Sequence, residues 1–182
     1  MGTPMLATTL LSLGTLSHPV GRPLLRLWGR GMLAILGVHL IVRGREHVSG
    51  RVGRIVLDFI LLDRTDRGRA AASLRRAADR IIRERLSVII APEGTRSRDG
   101  TLDPFKLGPM HLAVASHAPI VPMVIAGSAR AMPHGQGWSR GGTIVVEFLP
   151  PIATDDDTLD NLRERTDMLR DRFVAALARL DP

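Results

Sequence analysis

The stretch Ala91-Pro92-Glu93-Gly94-Thr95-Arg96-Ser97-Arg98 decides how the rest of the chain is read. It follows a short apolar run, Val88-Ile89-Ile90, which predicts a buried strand. It leads through the turn sequence Asp99-Gly100 to Phe105-Lys106-Leu107-Gly108-Pro109. A strand, a polar loop and a further element closing over it make a place where a ligand can be held. Gly94 lets backbone come close to a bound group, and Arg96 carries a planar fork of donors matched to phosphate oxygens. Thr95 and Ser97 add hydroxyl donors. From these residues alone, a plain polar surface loop is the competing account.

The whole composition narrows the choice. The 182 residues suit one domain with a proper core. With 45% hydrophobic and 24% charged residues, the chain is neither disordered nor an ordinary integral membrane protein. It has no cysteine, which excludes disulfides and thiolate metal sites. Its histidines, His18, His39, His47, His111, His117 and His134, show no zinc-motif spacing, so no metal is expected. The net charge is +7, carried almost entirely by arginine, with Lys106 the one lysine. Such a charge suits nucleic acid, anionic lipid or an acidic substrate. Aromatic residues are only 3% and tyrosine is absent, so stacking platforms for nucleic acid are poorly supplied. Lipid phosphate is the better fit, and no nucleic-acid partner is expected.

Upstream of the loop, residues 1–42 are the most apolar part. Met5 to Leu16 is uncharged but shorter than the roughly 20 residues that span a bilayer. No basic residue precedes it, which makes it a poor secretory signal. Arg22, Arg26 and Arg30 then recur at every fourth position, on one face of a helix whose remaining surface is Leu24, Leu25, Leu27, Trp28 and Met32. A basic face beside leucine and tryptophan suits an interfacial helix on anionic lipid. A helix packed on the domain with solvated arginines is the alternative. Residues 1–36 are therefore read as a membrane-associating helical segment and residues 37–182 as an α/β domain.

Within that domain, 37–42 reads as the first strand. Residues 55–62 (Ile-Val-Leu-Asp-Phe-Ile-Leu-Leu) read as a buried strand ending at Asp63-Arg64. Gly68 to Leu86 reads as a helix with an apolar stripe of Ala70, Leu74, Ala77, Ala78, Ile81 and Ile82. With Val88–Ile90 after it, this is a crossover unit, which makes its two strands parallel. Pro109 fits the first turn of a helix running to about Ser116. Residues 118–127 read as a strand, 128–142 as a loop and 143–149 as a strand stopped by Pro150-Pro151. Thr154 is the expected N-cap of a last helix, with Asp155, Asp156 and Asp157 in its first turn.

Glu93-Gly94-Thr95-Arg96-Ser97 resembles the signature of the glycerolipid acyltransferases, the lysophosphatidic acid acyltransferase family. Five consecutive matching residues behind a strand are far more specific than one glycine-rich loop. Phe105-Lys106-Leu107-Gly108 resembles the family's Phe-Lys-x-Gly segment, and Asp63-Arg64 its strand closing in Asp-Arg. Residues 118–127 resemble its proline-containing strand, and Gly44-Arg45-Glu46 its Gly-x-Glu step. The resemblance covers roughly residues 35 to 150. It implies a mixed, partly parallel central sheet flanked by helices. It also implies transfer of a fatty acyl group from coenzyme A or acyl carrier protein to lysophosphatidic acid, in phospholipid biosynthesis, with no cofactor. On it, Arg64, Glu93, Gly94, Thr95, Arg96 and Lys106 form the substrate-phosphate site: Arg64, Arg96 and Lys106 hold the phosphate, and Glu93 and Thr95 order the loop or touch the glycerol. The implied partners are a lysophospholipid, an acyl thioester and an anionic membrane. The implied location is peripheral, on the cytoplasmic face of the cell membrane.

One part of the family's pattern is absent. Members carry a His followed five positions on by Asp, a general base and the group that orients it. Five residues after the six histidines here stand Pro23, Gly44, Val52, Ser116, Pro122 and Ser139. Relative to the family layout, a strand and a helix are lost near 47–53, leaving His47 as a weak candidate base. A relative that binds phospholipid phosphate without catalysing is thus the alternative to an active transferase.

Overall fold

The computed structural model describes residues 21–48, 54–55, 67–94, 101–133, 138–155, 158 and 160–180. Helix α1 spans Gly21–Ile35, as the arginine spacing predicts. A tight turn delivers the chain into strand β1, Val38–Arg43, and a 3-10 turn, Arg45–His47. Strand β2, Arg54–Ile55, is followed by α2, Arg67–Glu84, and β3, Leu86–Ser87. Helix α3, Leu107–Ala115, precedes β4, Met123–Ala126, and a short helix α4, Ser128–Ala131. Strand β5, Gly142–Phe148, and helix α5, Leu162–Leu180, complete the order.

The β-branched run Ile144-Val145-Val146 makes β5 the natural centre of the main sheet. β1 lies parallel to it, with Val38 opposite Gly142 and Arg43 opposite Glu147. β4 lies antiparallel on the other side, with Met123 opposite Phe148. The sheet is therefore mixed, in the order β1-β5-β4. β2 and β3 pair in parallel, as a β-α-β crossover requires, but in a separate two-stranded sheet. A mixed α/β fold with parallel pairing is thus as expected. A single central sheet is not what the described residues form.

Apolar spacing explains how the layers stack. Along α5, Leu162, Leu169, Ala176 and Leu180 are buried on one helical face. The C-terminal half of that face covers Val124, Ala126 and Val145 of the sheet. The N-terminal half meets Phe105 and Met110. Phe173 packs into both clusters, and its ring meets Phe105 edge-on, centroids 5.1 Å apart and planes at 87°. α3 then turns Leu112 toward Ala78 and Ile81 of α2. The order of layers is main sheet, α5, α3, α2. Within the α2 stripe, Leu74, Ala77, Ala78 and Ile81 pack, while Ile82 is exposed.

Several sequence expectations are corrected. The strand placed at Val88–Ile90 is only Leu86–Ser87, and Ile89 and Ile90 are exposed. The described ladder pairs Arg54 with Leu86 and Ile55 with Ser87, just before the apolar run. Most of the 55–62 strand lies outside the described residues. Residues 118–127 do not form one strand, because Pro119 and Pro122 lack the N–H groups a ladder needs. They form a single bridge between Ile120 and Ile152, and then β4. Part of the predicted 128–142 loop is helix α4. Thr154 caps no helix. It is buried, its hydroxyl donates to the Ala118 carbonyl at 3.2 Å, and α5 begins eight residues later.

Candidate functional site

The site grows from the turn at Ala91–Gly94. The Gly94 N–H donates to the Ala91 carbonyl at 3.1 Å. Pro92 and Gly94 occupy the second and fourth positions, where type I turns favour them. Gly94 has φ +76°, a left-handed conformation that costs glycine nothing.

The segment that follows the signature is strapped over this turn. The Lys106 N–H donates to the Pro92 carbonyl at 2.8 Å. The Asp103 N–H donates to the Glu93 carboxylate at 2.9 Å. From outside, the Arg170 guanidinium of α5 donates to the Leu102 carbonyl at 2.9 Å, and Phe105 is buried in the core. Glu93 thus holds the 102–106 segment against the turn. A carboxylate accepting a backbone N–H is a charge-assisted bond, stronger than its neutral counterpart.

The straps set the start of α3. Lys106 is its N-cap, extended at φ −77° and ψ 148°, with no side-chain cap hydrogen bond and an exposed side chain. The first-turn N–H groups of a helix and its dipole favour an anion. Gly108 in that turn adds no side-chain bulk, and the one lysine of the chain stands at its edge. The structure thus brings Glu93, Gly94 and Lys106 together at one place. Arg64, Thr95 and Arg96 lie outside the described residues.

His47 is elsewhere. It closes the 3-10 turn after β1, and its N–H donates to the Gly44 carbonyl at 3.0 Å. Its Nε2 is 3.9 Å from the Glu46 carboxylate, an ion-pair distance and not a hydrogen bond. His111 lies within α3, its Nδ1 buried without a hydrogen-bond partner. His117 is exposed at the end of that helix, at φ +50°.

Two contributors were not legible in the sequence. Asp103 acts through its backbone N–H, which no side-chain pattern reveals. Arg170 is one of five arginines between 163 and 179, and nothing local separates it from the others.

Comparison with known proteins bears on the same segments. Residues 41–126 match the model of a family described as Acyltransferase. A 1-acyl-sn-glycerol-3-phosphate acyltransferase of Limnanthes douglasii is 45% identical over 118 residues, covering 65% of this chain and 42% of the relative. One of Escherichia coli K12 is 32% identical over 122 residues, 67% of this chain and 49% of the relative. The chain spans about half the length of the curated relatives it matches. The crystal structure of the 1-acyl-sn-glycerophosphate (LPA) acyltransferase PlsC from Thermotoga maritima superimposes with a TM-score of 0.63, over 82% of this chain and 76% of that one. At 22% identity, that likeness speaks for the fold.

Proposed function

We propose that this chain, which belongs to the acyltransferase family, moves a fatty acyl group from a thioester to the free hydroxyl of lysophosphatidic acid, giving phosphatidic acid. The observation that carries the reading is the strapped turn. Glu93 and Gly94 open the Glu-Gly-Thr-Arg-Ser signature, and the straps hold that turn against the helix start bearing Lys106. Lys106 and the first turn of α3 supply a positive edge for the substrate phosphate. Arg96 and Arg64 supply planar forks for the same group, and a bidentate arginine–phosphate pair is a strong contact.

In the reaction, the substrate hydroxyl oxygen attacks the thioester carbonyl carbon. A carbon–oxygen bond forms, the carbon–sulfur bond breaks, and the hydroxyl proton passes to the departing thiolate. No covalent enzyme intermediate is needed. The acyl donor is coenzyme A or acyl carrier protein, and no resident cofactor takes part. The chain works at the cytoplasmic face of a membrane, with α1 lying on anionic lipid. Trp28, Leu24 and Leu27 of α1 are exposed, and the helix contains no acidic residue. Among the described residues, no helix is long and apolar enough to cross a membrane.

A second reading is favoured by one observation: no histidine has an aspartate five residues on. Positioned general-base catalysis is worth about 10²–10⁴-fold, so a cradle without it binds phosphate lipid and turns over slowly. Acyl transfer by the purified chain, with an Arg96→Ala control, separates the two. Turnover that depends on Arg96 supports the transferase and makes His47 the next residue to change. Binding of lysophosphatidate without turnover supports the binding relative. Unchanged affinity in Arg96→Ala, with a normal circular dichroism spectrum, sinks the phosphate assignment.

A further inference from the structure

Exposed apolar side chains converge where α1 ends. Ile35, its last residue, is 71% exposed, Met132 beyond α4 is 56% exposed and Trp138 before β5 is 73% exposed. Each sits one residue from a backbone knot that ties these three segments together. The Ser139 hydroxyl, in a buried residue, lies 3.0 Å from the Leu36 carbonyl and 3.1 Å from the Ala131 carbonyl, and it accepts the Gly141 N–H at 3.1 Å. The Arg140 N–H donates to the Ala131 carbonyl at 2.9 Å, and the Gly142 N–H to the Gly37 carbonyl at 3.0 Å. Trp138 is thus presented from a hydrogen-bonded base beside the end of α1.

The first acidic residue of the chain is Glu46, and none occurs between Asp103 and Glu147. The segments tied together at the knot, 21–42 and 123–146, hold Arg22, Arg26, Arg30, Arg130 and Arg140. They hold none of the chain's 18 acids. Acid-free, arginine-bearing segments with an exposed tryptophan suit anionic headgroups over an acyl interior, where tryptophan settles at the interface.

We propose that Trp138, flanked by Met132 and Ile35, is a second insertion point into an anionic bilayer, so that the chain meets the membrane on α1 and on this tip together. The inference rests on the membrane reading of α1 and adds a contact to it. Two anchors joined by a rigid base bind as a multivalent unit, and either alone holds less well.

The chain's two tryptophans, Trp28 on α1 and Trp138 on the tip, make the test direct. The full-length Trp28→Phe chain leaves Trp138 as sole reporter, and Trp138→Phe leaves Trp28. Each is floated with vesicles of phosphatidylcholine, with and without phosphatidylglycerol, and its emission is read with and without brominated acyl chains. Trp138 emission is expected to shift to the blue and to be quenched on phosphatidylglycerol vesicles. Trp138→Ser is expected to weaken partitioning about tenfold, the scale of one buried apolar side chain. Flotation with Trp138 neither shifted nor quenched overturns the tip and leaves α1 standing. Failure of the wild-type chain to float overturns both. Equal binding without phosphatidylglycerol overturns the anionic surface. A blue shift that grows with protein concentration in the absence of lipid assigns the tip to a second copy and overturns the proposal.

Discussion

Replacing Gly44 by alanine drives a methyl group into the backbone of β5. Gly44 has φ +68°, and a Cβ built there meets the Phe148 carbonyl oxygen at 2.0 Å and its carbon at 3.0 Å. The left-handed conformation costs a residue with a side chain about 1–2 kcal/mol. Relieving the overlap adds about 1–3 kcal/mol, the usual range for overpacking. The obstacle is backbone, and Phe148 is paired with Met123 of β4, so retreat on one side strains the ladder on the other. The sum is about 2–5 kcal/mol, and at 2–4 °C per kcal/mol for a chain of this size the melting temperature falls by about 4–20 °C. Calorimetry and urea titration read the change. Gly29→Ala is the control: it has nothing within 4 Å and lies inside α1, so it leaves the melting temperature level or raises it slightly. A Gly44→Ala chain melting within about 2 °C of the wild type would refute both the close approach and the magnitude built on it.

Glu93→Ala leaves the Asp103 N–H without its carboxylate acceptor. Amide exchange at Asp103 is expected to quicken about tenfold or more, the scale of a hydrogen bond to a charged group, while core amides keep their rates; equal protection in the variant means that Glu93 does not hold the segment. His117 occupies a left-handed conformation at the end of α3, so His117→Gly is expected to stabilise by about 1 kcal/mol with acyl transfer unchanged. A fall in turnover without a fall in melting temperature would give His117 a role in the chemistry.

How far the sequence reaches differs from element to element. Arg22, Arg26 and Arg30 place α1 because a helical period shows in any four residues of the right kind. Thr143 to Leu149 declares β5 because β-branched residues between a glycine turn and two prolines leave little else to form. Thr154 misled for a physical reason. A threonine before a run of acids satisfies the local rule for a helix start, but burial against Ala118 gives its hydroxyl a distant partner. Val88–Ile90 misled because apolar composition does not fix where a ladder lies: the paired residues are Leu86 and Ser87, just before the run.

The signature, and the family resemblance it carries, were legible in residues 93–97, since they depend on residue type in unbroken order. So were the missing His–Asp spacing and the two acid-free stretches. Tertiary structure alone decided that Asp103 gives its N–H to Glu93, that Arg170 of the last helix holds the same loop, and that Trp138 stands beside the end of α1. Those contacts join residues up to 103 positions apart. Local propensity acts over a few residues; which distant backbone groups meet is settled only when the helices and the sheet bury their apolar faces together.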